Sequence, residues 1–382
     1  MVYSSSTSRR ADNNRNILCA FIYSFVFLFA FGGTNISFAQ PVYRGSSEEI
    51  FFGRQPSARV EALGRGAAAF NDDVTATFYN PAGLSSLRGL SVAASYASPY
   101  YLLTDAWYNY LGAAYSIDSC IVVALSRYYF TYGVEIERYT YDAKLLGTSE
   151  PTTTLYTLSA ATNLIQGFSV GVNLNVMDLA QNYTPVLESN IHNHELVYFL
   201  DLGLQQRFEF DHTKHLAGQL QLGANLSNLN SSKIEYASVR LPVRFHLGAA
   251  YSVRYRSESF LPMREICRLT FVGEYQDLLN SKFYTTTSGG IEVSFLDVIA
   301  VRFGYWSQTQ DDLGLKVNRS ENHSLTLGLG FHLSMKELTQ NRIPLSIQFD
   351  FTHLNHPGEP YQSYFYKGGK FTVLTLSMNY AM

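Results

Sequence analysis

The most restrictive feature of this sequence is a two-residue alternation that recurs in stretches of about ten residues over most of its length. In Leu325–Ser334, Leu325, Leu327, Leu329, Phe331 and Leu333 share one face, and Thr326, Gly328, Gly330, His332 and Ser334 share the other. Ile343–Thr352 repeats this, with Ile343, Leu345, Ile347, Phe349 and Phe351 against Ser346, Gln348, Asp350 and Thr352. Val170–Val176, Leu220–Leu226 and Leu241–Val253 read the same way. A soluble sandwich also alternates, but here bulky Leu, Ile and Phe persist for about ten residues, the length a tilted strand needs to cross a bilayer. The opposite faces mix Gln, Asn, Arg, Asp and Gly, which suits a wet lumen. A mean hydropathy of -0.05 excludes a bundle of membrane helices. Charged residues at 15% and aromatics at 15% fit strands that are apolar at every second position. The expected fold is all-β: a transmembrane antiparallel barrel of roughly fourteen strands with an N-terminal plug in its lumen.

Connector lengths support that count. With the first strand leaving the periplasm, Ile117–Ser119, Leu164–Gln166 and Phe295–Val298 are short inner turns. Thr131–Thr152, Leu179–His194, Thr309–Glu321 and Leu354–Gly369 are longer outer loops. The spans expected for two of the strands are 153–163 and 195–208. The final strand, Phe371 to Met382, is amphipathic and closes against the first, leaving no edge to lipid. Residues 1–39 read as a secretory signal: Arg9, Arg10 and Arg15 precede an apolar run, and Ser37-Phe38-Ala39 is a small-x-small cleavage site. Cys120 and Cys267 fall at inner ends of strands far apart round the barrel, so two free thiols are expected.

Pro56 to Leu87 resembles neither signal nor strand. Gly64, Gly66 and Ala67-Ala68-Ala69 offer almost no side chains, so this stretch can lie close against another wall. Asp73 is expected to cap a short helix running through Phe78, and Asn80 to cap a second with Pro81 at its first position. The organisation expected is a signal over 1–39, a plug over 40–88 and a barrel over 89–382.

The run Ala62-Leu63-Gly64-Arg65-Gly66-Ala67-Ala68-Ala69, followed by Asp72-Asp73 and Phe78-Tyr79-Asn80-Pro81-Ala82-Gly83-Leu84, resembles the N-terminal hatch of FadL-type outer-membrane transporters. It is also similar to the PorV/PorQ-type barrels of type IX secretion. The resemblance implies a multi-pass barrel of the bacterial outer membrane with hatch residues Phe78, Asn80, Pro81, Ala82 and Gly83. Passive uptake of small hydrophobic molecules, fatty-acid-like or aromatic, is implied too. The PorV/PorQ alternative implies a protein partner in secretion or surface attachment, with no transport. FadL-type transporters release their cargo through a gap at a kinked third strand. Cys120–Phe130 has no internal Gly or Pro, so no such kink is expected here.

Other chemistry is poorly supported. Gly64-Arg65-Gly66-Ala67-Ala68-Ala69 fits a dinucleotide fingerprint, but no βαβ unit surrounds it, so a close-packed plug including Asp72 and Asp73 is the better reading. Lumen-facing Arg207, Arg244, Glu274, Arg302 and Asp350 are expected to pair with one another and with the plug, or to touch substrate. Trp107 and Tyr108, with Tyr364, Phe365 and Tyr366, form either an interfacial girdle or an apolar entry groove. His246 and His332 face the lumen with no nucleophile placed beside them, so no enzyme is expected. No metal-ligand spacing is present, and no cofactor is expected. The net charge of -3, with no basic run, excludes a nucleic-acid partner. The partners expected are membrane lipid, a hydrophobic ligand and, in the alternative, a secretion-system protein.

Overall fold

The computed structural model describes residues 55–98, 106–118, 120–131, 133, 136–142, 144–185, 191–213, 215–234, 239–257, 264–279, 284–310, 320–335, 339, 343–355 and 370–381. The expected signal, residues 40–54, and Tyr364, Phe365 and Tyr366 lie outside the described residues.

The alternating stretches form strands β1 (Leu90–Ser98), β2 (Trp107–Ser116), β3 (Ile121–Thr131) and β4 (Ile136–Tyr139). Next come β5 (Leu145–Ile165), β6 (Phe168–Pro185), β7 (Ile191–Thr213) and β8 (Leu216–Leu229). A small ribbon, β9 (Lys233–Ile234) with β10 (Val239–Arg240), precedes β11 (Val243–Ser257) and β12 (Arg264–Leu279). The remainder are β13 (Tyr284–Phe295), β14 (Ile299–Gln310), β15 (Ser320–Ser334), β16 (Leu345–Asn355) and β17 (Lys370–Tyr380). Each barrel strand pairs antiparallel with its neighbours; β1 pairs with both β2 and β17, and β3 pairs with β5. Fourteen strands therefore close into a ring, with β4 extending one end of β5 and β9–β10 standing apart. The end where β1 finishes at Ser98 and β2 begins at Trp107 is here the upper end.

Several boundaries differ from the sequence expectation; β6 runs on to Pro185, into the expected outer loop Leu179–His194. β5 starts at Leu145 rather than 153, and β7 spans Ile191–Thr213 rather than 195–208. The expected outer loop Thr131–Thr152 is largely a hairpin that carries the wall upward. Pro151 reads as a strand breaker, but its missing N–H does no harm here. β3 pairs with β5 as far as Thr152 and β4 takes over from Ser149, so Pro151 falls in the gap between them. β3 pairs with β2 and β5 without a register shift, and no kink appears in it.

The period of two sorts the side chains as expected. Leu111, Leu125, Leu158, Phe303, Leu327 and Phe331 point outward, each at least 50% exposed. Moving one such side chain out of water is worth about 1.5–3 kcal/mol, so a continuous belt of them belongs against lipid. The Trp107 ring lies 6.3 Å from Tyr96 and 5.0 Å from Tyr129 on this outer face, the girdle arrangement. Tyr108, one residue on, points inward and is buried. Both thiols are free.

Candidate functional site

Residues 55–88 lie inside the ring. Ser57 caps a first helix, α1 (Ala58–Ala62), accepting at Oγ from the Val60 N–H. Gly64, at φ 71°, turns the chain out of that helix in the left-handed region. The second helix, α2, is shorter than expected, Ala76–Tyr79. Asp73 caps the turn that leads into it: its carboxylate accepts from the Thr75 N–H and hydroxyl, its carbonyl accepts from the Ala76 N–H, and the turn continues to the Phe78 N–H. The last element is as read from sequence, a 3-10 helix over Pro81–Ser86, with Asn80 Oδ1 accepting from the Ala82 N–H at 3.1 Å.

The wall meets this segment with glycines. Leu63 lies on Gly290 and Gly304, Ala62 on Gly328, Ala68 and Ala69 on Gly223 and Gly248, and Asn80 to Ala82 on Gly171 and Gly203. A Cβ on Gly290 would come 2.5 Å from the Leu63 carbonyl oxygen, and one on Gly64 would come 2.7 Å from the Gly289 carbonyl. Glycine inside a strand marks the close approach of another backbone. The inward glycines read from sequence as part of a wet polar face are instead seats for the inner segment. Gly66 meets Val272, and Gly83 meets the Asn71 carbonyl, so neither has room for a side chain. The Phe78 ring packs edge-on to Tyr79 and Tyr128, each at 5.2 Å.

Polar contacts then fix the segment's position. Glu274 Oε2 accepts from the Ala67 and Ala68 N–H groups at 2.6 Å each, and its Oε1 meets His246 Nδ1 at 2.9 Å. Glu292 receives Arg59 through Nε at 3.0 Å and Nη2 at 2.9 Å, and Arg302 through Nε at 2.6 Å. Arg302 Nη1 continues to Asp350 at 2.7 Å, and Arg59 Nη1 to Asp72 at 2.7 Å. This chain of five charges joins α1 to β13, β14 and β16. Its wall members are almost wholly buried, at 3% for Glu292 and Arg302 and 1% for Asp350. Asn80 Nδ2 donates to the carbonyls of Ala68 at 2.6 Å and Leu204 at 3.1 Å. On the far side, Asp201 sits at a register shift between β7 and β8. It accepts from the Asn173 and Asn175 amides and the Asn228 N–H. Asn173 also donates to the Thr77 carbonyl at 2.7 Å.

Of the five polar residues singled out from sequence, Glu274, Arg302 and Asp350 belong to the contacts that hold the inner segment. Arg207 does not: its guanidinium bonds the Gln221 amide at 3.0 and 3.1 Å, in the cavity that Asp72 and Asp73 also line. Arg244 lies near the upper end of β11, opposite Ser227 and Leu278. Sequence reading missed Arg59, Glu292 and the wall glycines. The glycines were legible as single small residues on the polar face of one strand after another.

Above the segment the bore is apolar and packed. Tyr108 stacks on Phe130 at 4.6 Å and on Tyr128 at 5.9 Å, in one cluster with Leu155, Met177 and Phe199. Below it a polar cavity of about 570 Å³ opens among strand ends, with Asp72 and Asp73 of the inner segment on its roof. Burial pushes the Asp73 carboxyl up to about 6, against the pull of its bonds from Thr75.

No family model matches the sequence, and neither does any curated protein. Solved structures do. A TodX variant described as a monoaromatic hydrocarbon channel is 10% identical, with 86% of this chain and 99% of that chain covered at a TM-score of 0.50. The toluene transporter TodX of P. putida is 12% identical, with 87% and 100% covered at 0.48. The toluene transporter TbuX of Ralstonia pickettii is 10% identical, with 87% and 99% covered at 0.42. At such identities the likeness is one of fold, so that this chain folds as a hydrocarbon channel does, into a barrel closed by antiparallel strands over nearly the whole of both chains.

Proposed function

We propose that this chain is a FadL-type barrel of the bacterial outer membrane that passes small hydrophobic molecules, fatty-acid-like or aromatic, by diffusion past an N-terminal hatch. In this reading residues 1–39 are removed on export, 40–88 form the hatch and 89–382 the barrel. The observation that carries it is the inner segment's mode of attachment: backbone laid on wall glycines and fixed by a few buried polar contacts, beneath an apolar aromatic upper bore. An apolar solute entering beside Tyr108 and Phe130 meets side chains of its own polarity, while water and ions meet a filled bore. The outward girdle at Trp107 and the lipid-facing belt support the membrane setting. The unkinked β3 does not support a lateral exit at that strand.

The test is the double variant Asn80→Ala plus Pro81→Ala, reconstituted in planar bilayers and in liposomes loaded with an apolar fluorescent dye acceptor. Loosening the hatch should raise single-channel conductance and speed dye entry; unchanged values for both would overturn the assignment of this corner to a hatch. The second reading, a PorV/PorQ-like partner in secretion or surface attachment, draws support from the packed upper bore, which suits a barrel that transports nothing. Wild-type liposomes that admit the dye no faster than protein-free ones, with a protein captured on the upper loops, would favour it.

A further inference from the structure

At the lower mouth, β7, β8 and β11 line the 570 Å³ cavity with Arg207, Gln219, Gln221 and Arg254. The other arginines of this mouth have partners. Arg59 is held by Asp72 and Glu292, Arg302 by Glu292 and Asp350, and Arg268 by Glu265 and Asp297. Arg88 donates to the carbonyls of Ser85 and Leu87. Among the described residues, the guanidinium of Arg207 is bonded by the neutral amide of Gln221. Arg254 forms no ion pair there, and its buried Nε has no acceptor. Its cross-strand neighbour on β12 is Arg268, a like charge. Glu209 lines the same mouth but is exposed and pairs with neither arginine.

Two half-buried guanidinium groups without a carboxylate are costly to hold in a concave wall. Gln219 and Gln221 place neutral amide donors on the strand between them. Guanidinium donors match the oxygens of phosphate: Arg254 offers its unpartnered Nε, and Arg207, whose Nε and Nη2 rest on the Gln221 oxygen, offers Nη1. We propose that Arg207 and Arg254, with Gln219 and Gln221 between them, form a binding site for a phosphate-class oxyanion at the lower mouth. The site is independent of what crosses the barrel.

The test is calorimetric titration of the full barrel in maltoside detergent with two probes, inorganic phosphate and dihexanoyl phosphatidic acid, whose phosphate sits on a lipid. Saturable binding is expected, weakened at least about tenfold in Arg207→Gln plus Arg254→Gln, since the charge-assisted bonds of both guanidinium groups are lost. Binding of inorganic phosphate identifies a soluble ligand; binding of the lipid probe alone identifies a headgroup. No saturable binding of either probe, or equal binding by the double variant, overturns the proposal. Among the described residues neither guanidinium bonds the inner segment, so the variant should keep the heat-shifted gel migration of a folded barrel. Should it not fold, Arg254→Lys keeps the charge and loses the fork, and unchanged affinity in that variant overturns the proposal equally.

Discussion

Replacing Glu292 by Gln is the sharpest test of how the inner segment is retained. The carboxylate is the only group in the five-charge chain that holds Arg59 by two bonds and Arg302 by a third. An amide of the same shape removes its charge, while Asp72 keeps one contact to Arg59 and Asp350 one to Arg302. Breaking a buried pair by neutralising one partner costs about 3–5 kcal/mol, because the remaining charge stays desolvated. The loss falls between α1 and the wall, so it should raise the displaced population of the segment rather than unfold the strands. At about 1.36 kcal/mol per tenfold, that is a rise of roughly 10² to 10⁴. The readout is thiol labelling of Val60→Cys, a position 2% exposed on α1, after Cys120 and Cys267 are changed to Ser. Equal labelling rates with and without Glu292→Gln, in barrels that migrate as folded, would refute the reasoning. A companion, Arg59→Met plus Glu292→Met, removes both charges and should label more slowly than Glu292→Gln alone, because no arginine of the α1 contact is left unpaired.

Gly223→Ala would place a methyl group against the Ala68 carbonyl, which is backbone and cannot turn away. It should raise the same labelling rate by an amount fitting about 1–3 kcal/mol of overpacking. Gly273→Ala, whose methyl would meet nothing nearer than the Ser288 carbonyl at 3.9 Å, should leave it unchanged. The raised Asp73 predicts a pH dependence. The folded carboxyl titrates at about 6 against 3.8 for the ordinary group, so its stabilising contribution is complete below 3.8 and is lost as pH rises through about 6. Labelling, normalised at each pH to that of a free thiol, should therefore be slower at pH 5 than at pH 7.5, and Asp73→Asn should abolish the normalised difference.

The barrel was legible because its cause is local: a side-chain period of two cannot be satisfied by another element, and Leu325–Ser334 states it without exception. What was not legible is which breakers matter. Pro151 breaks a strand unless the neighbouring strand also ends there, which depends on where β3 stops and β4 starts, far away in sequence. The Asn80-Pro81 corner was readable because an Asx cap and a proline first turn are complete within three residues. Asp73 was readable for the same reason, since its bond to the Thr75 N–H caps a turn complete within five residues. Glu292 and Arg59 could not be joined from sequence, since nothing in either neighbourhood tells which charge lies across the bore. Tyr108 and Trp107 show the finest grain of the same rule: adjacent aromatics at one strand end take opposite roles, one in the bore and one at the lipid boundary.

The glycine seats bear on whether the inner segment can move at all. A segment retained by interdigitated apolar side chains gains about 25 cal/mol for each Å² it buries, and lifting it forfeits the whole sum. Here part of the contact is backbone on backbone, Leu63 to Gly290 and Ala68 to Gly223, and part is apolar packing, Val74, Leu84 and Leu87 in one cluster with Tyr108, Leu155 and Met177. A short set of polar contacts adds to that burial: Glu274 to two N–H groups, Glu292 to Arg59, and Asn80 to two carbonyls. Water can replace hydrogen bonds of this kind, so the net loss for each neutral one is about 0.5–1.5 kcal/mol. Replacing the seats by larger apolar side chains, with matching cuts in the inner segment, would shift retention further toward apolar burial.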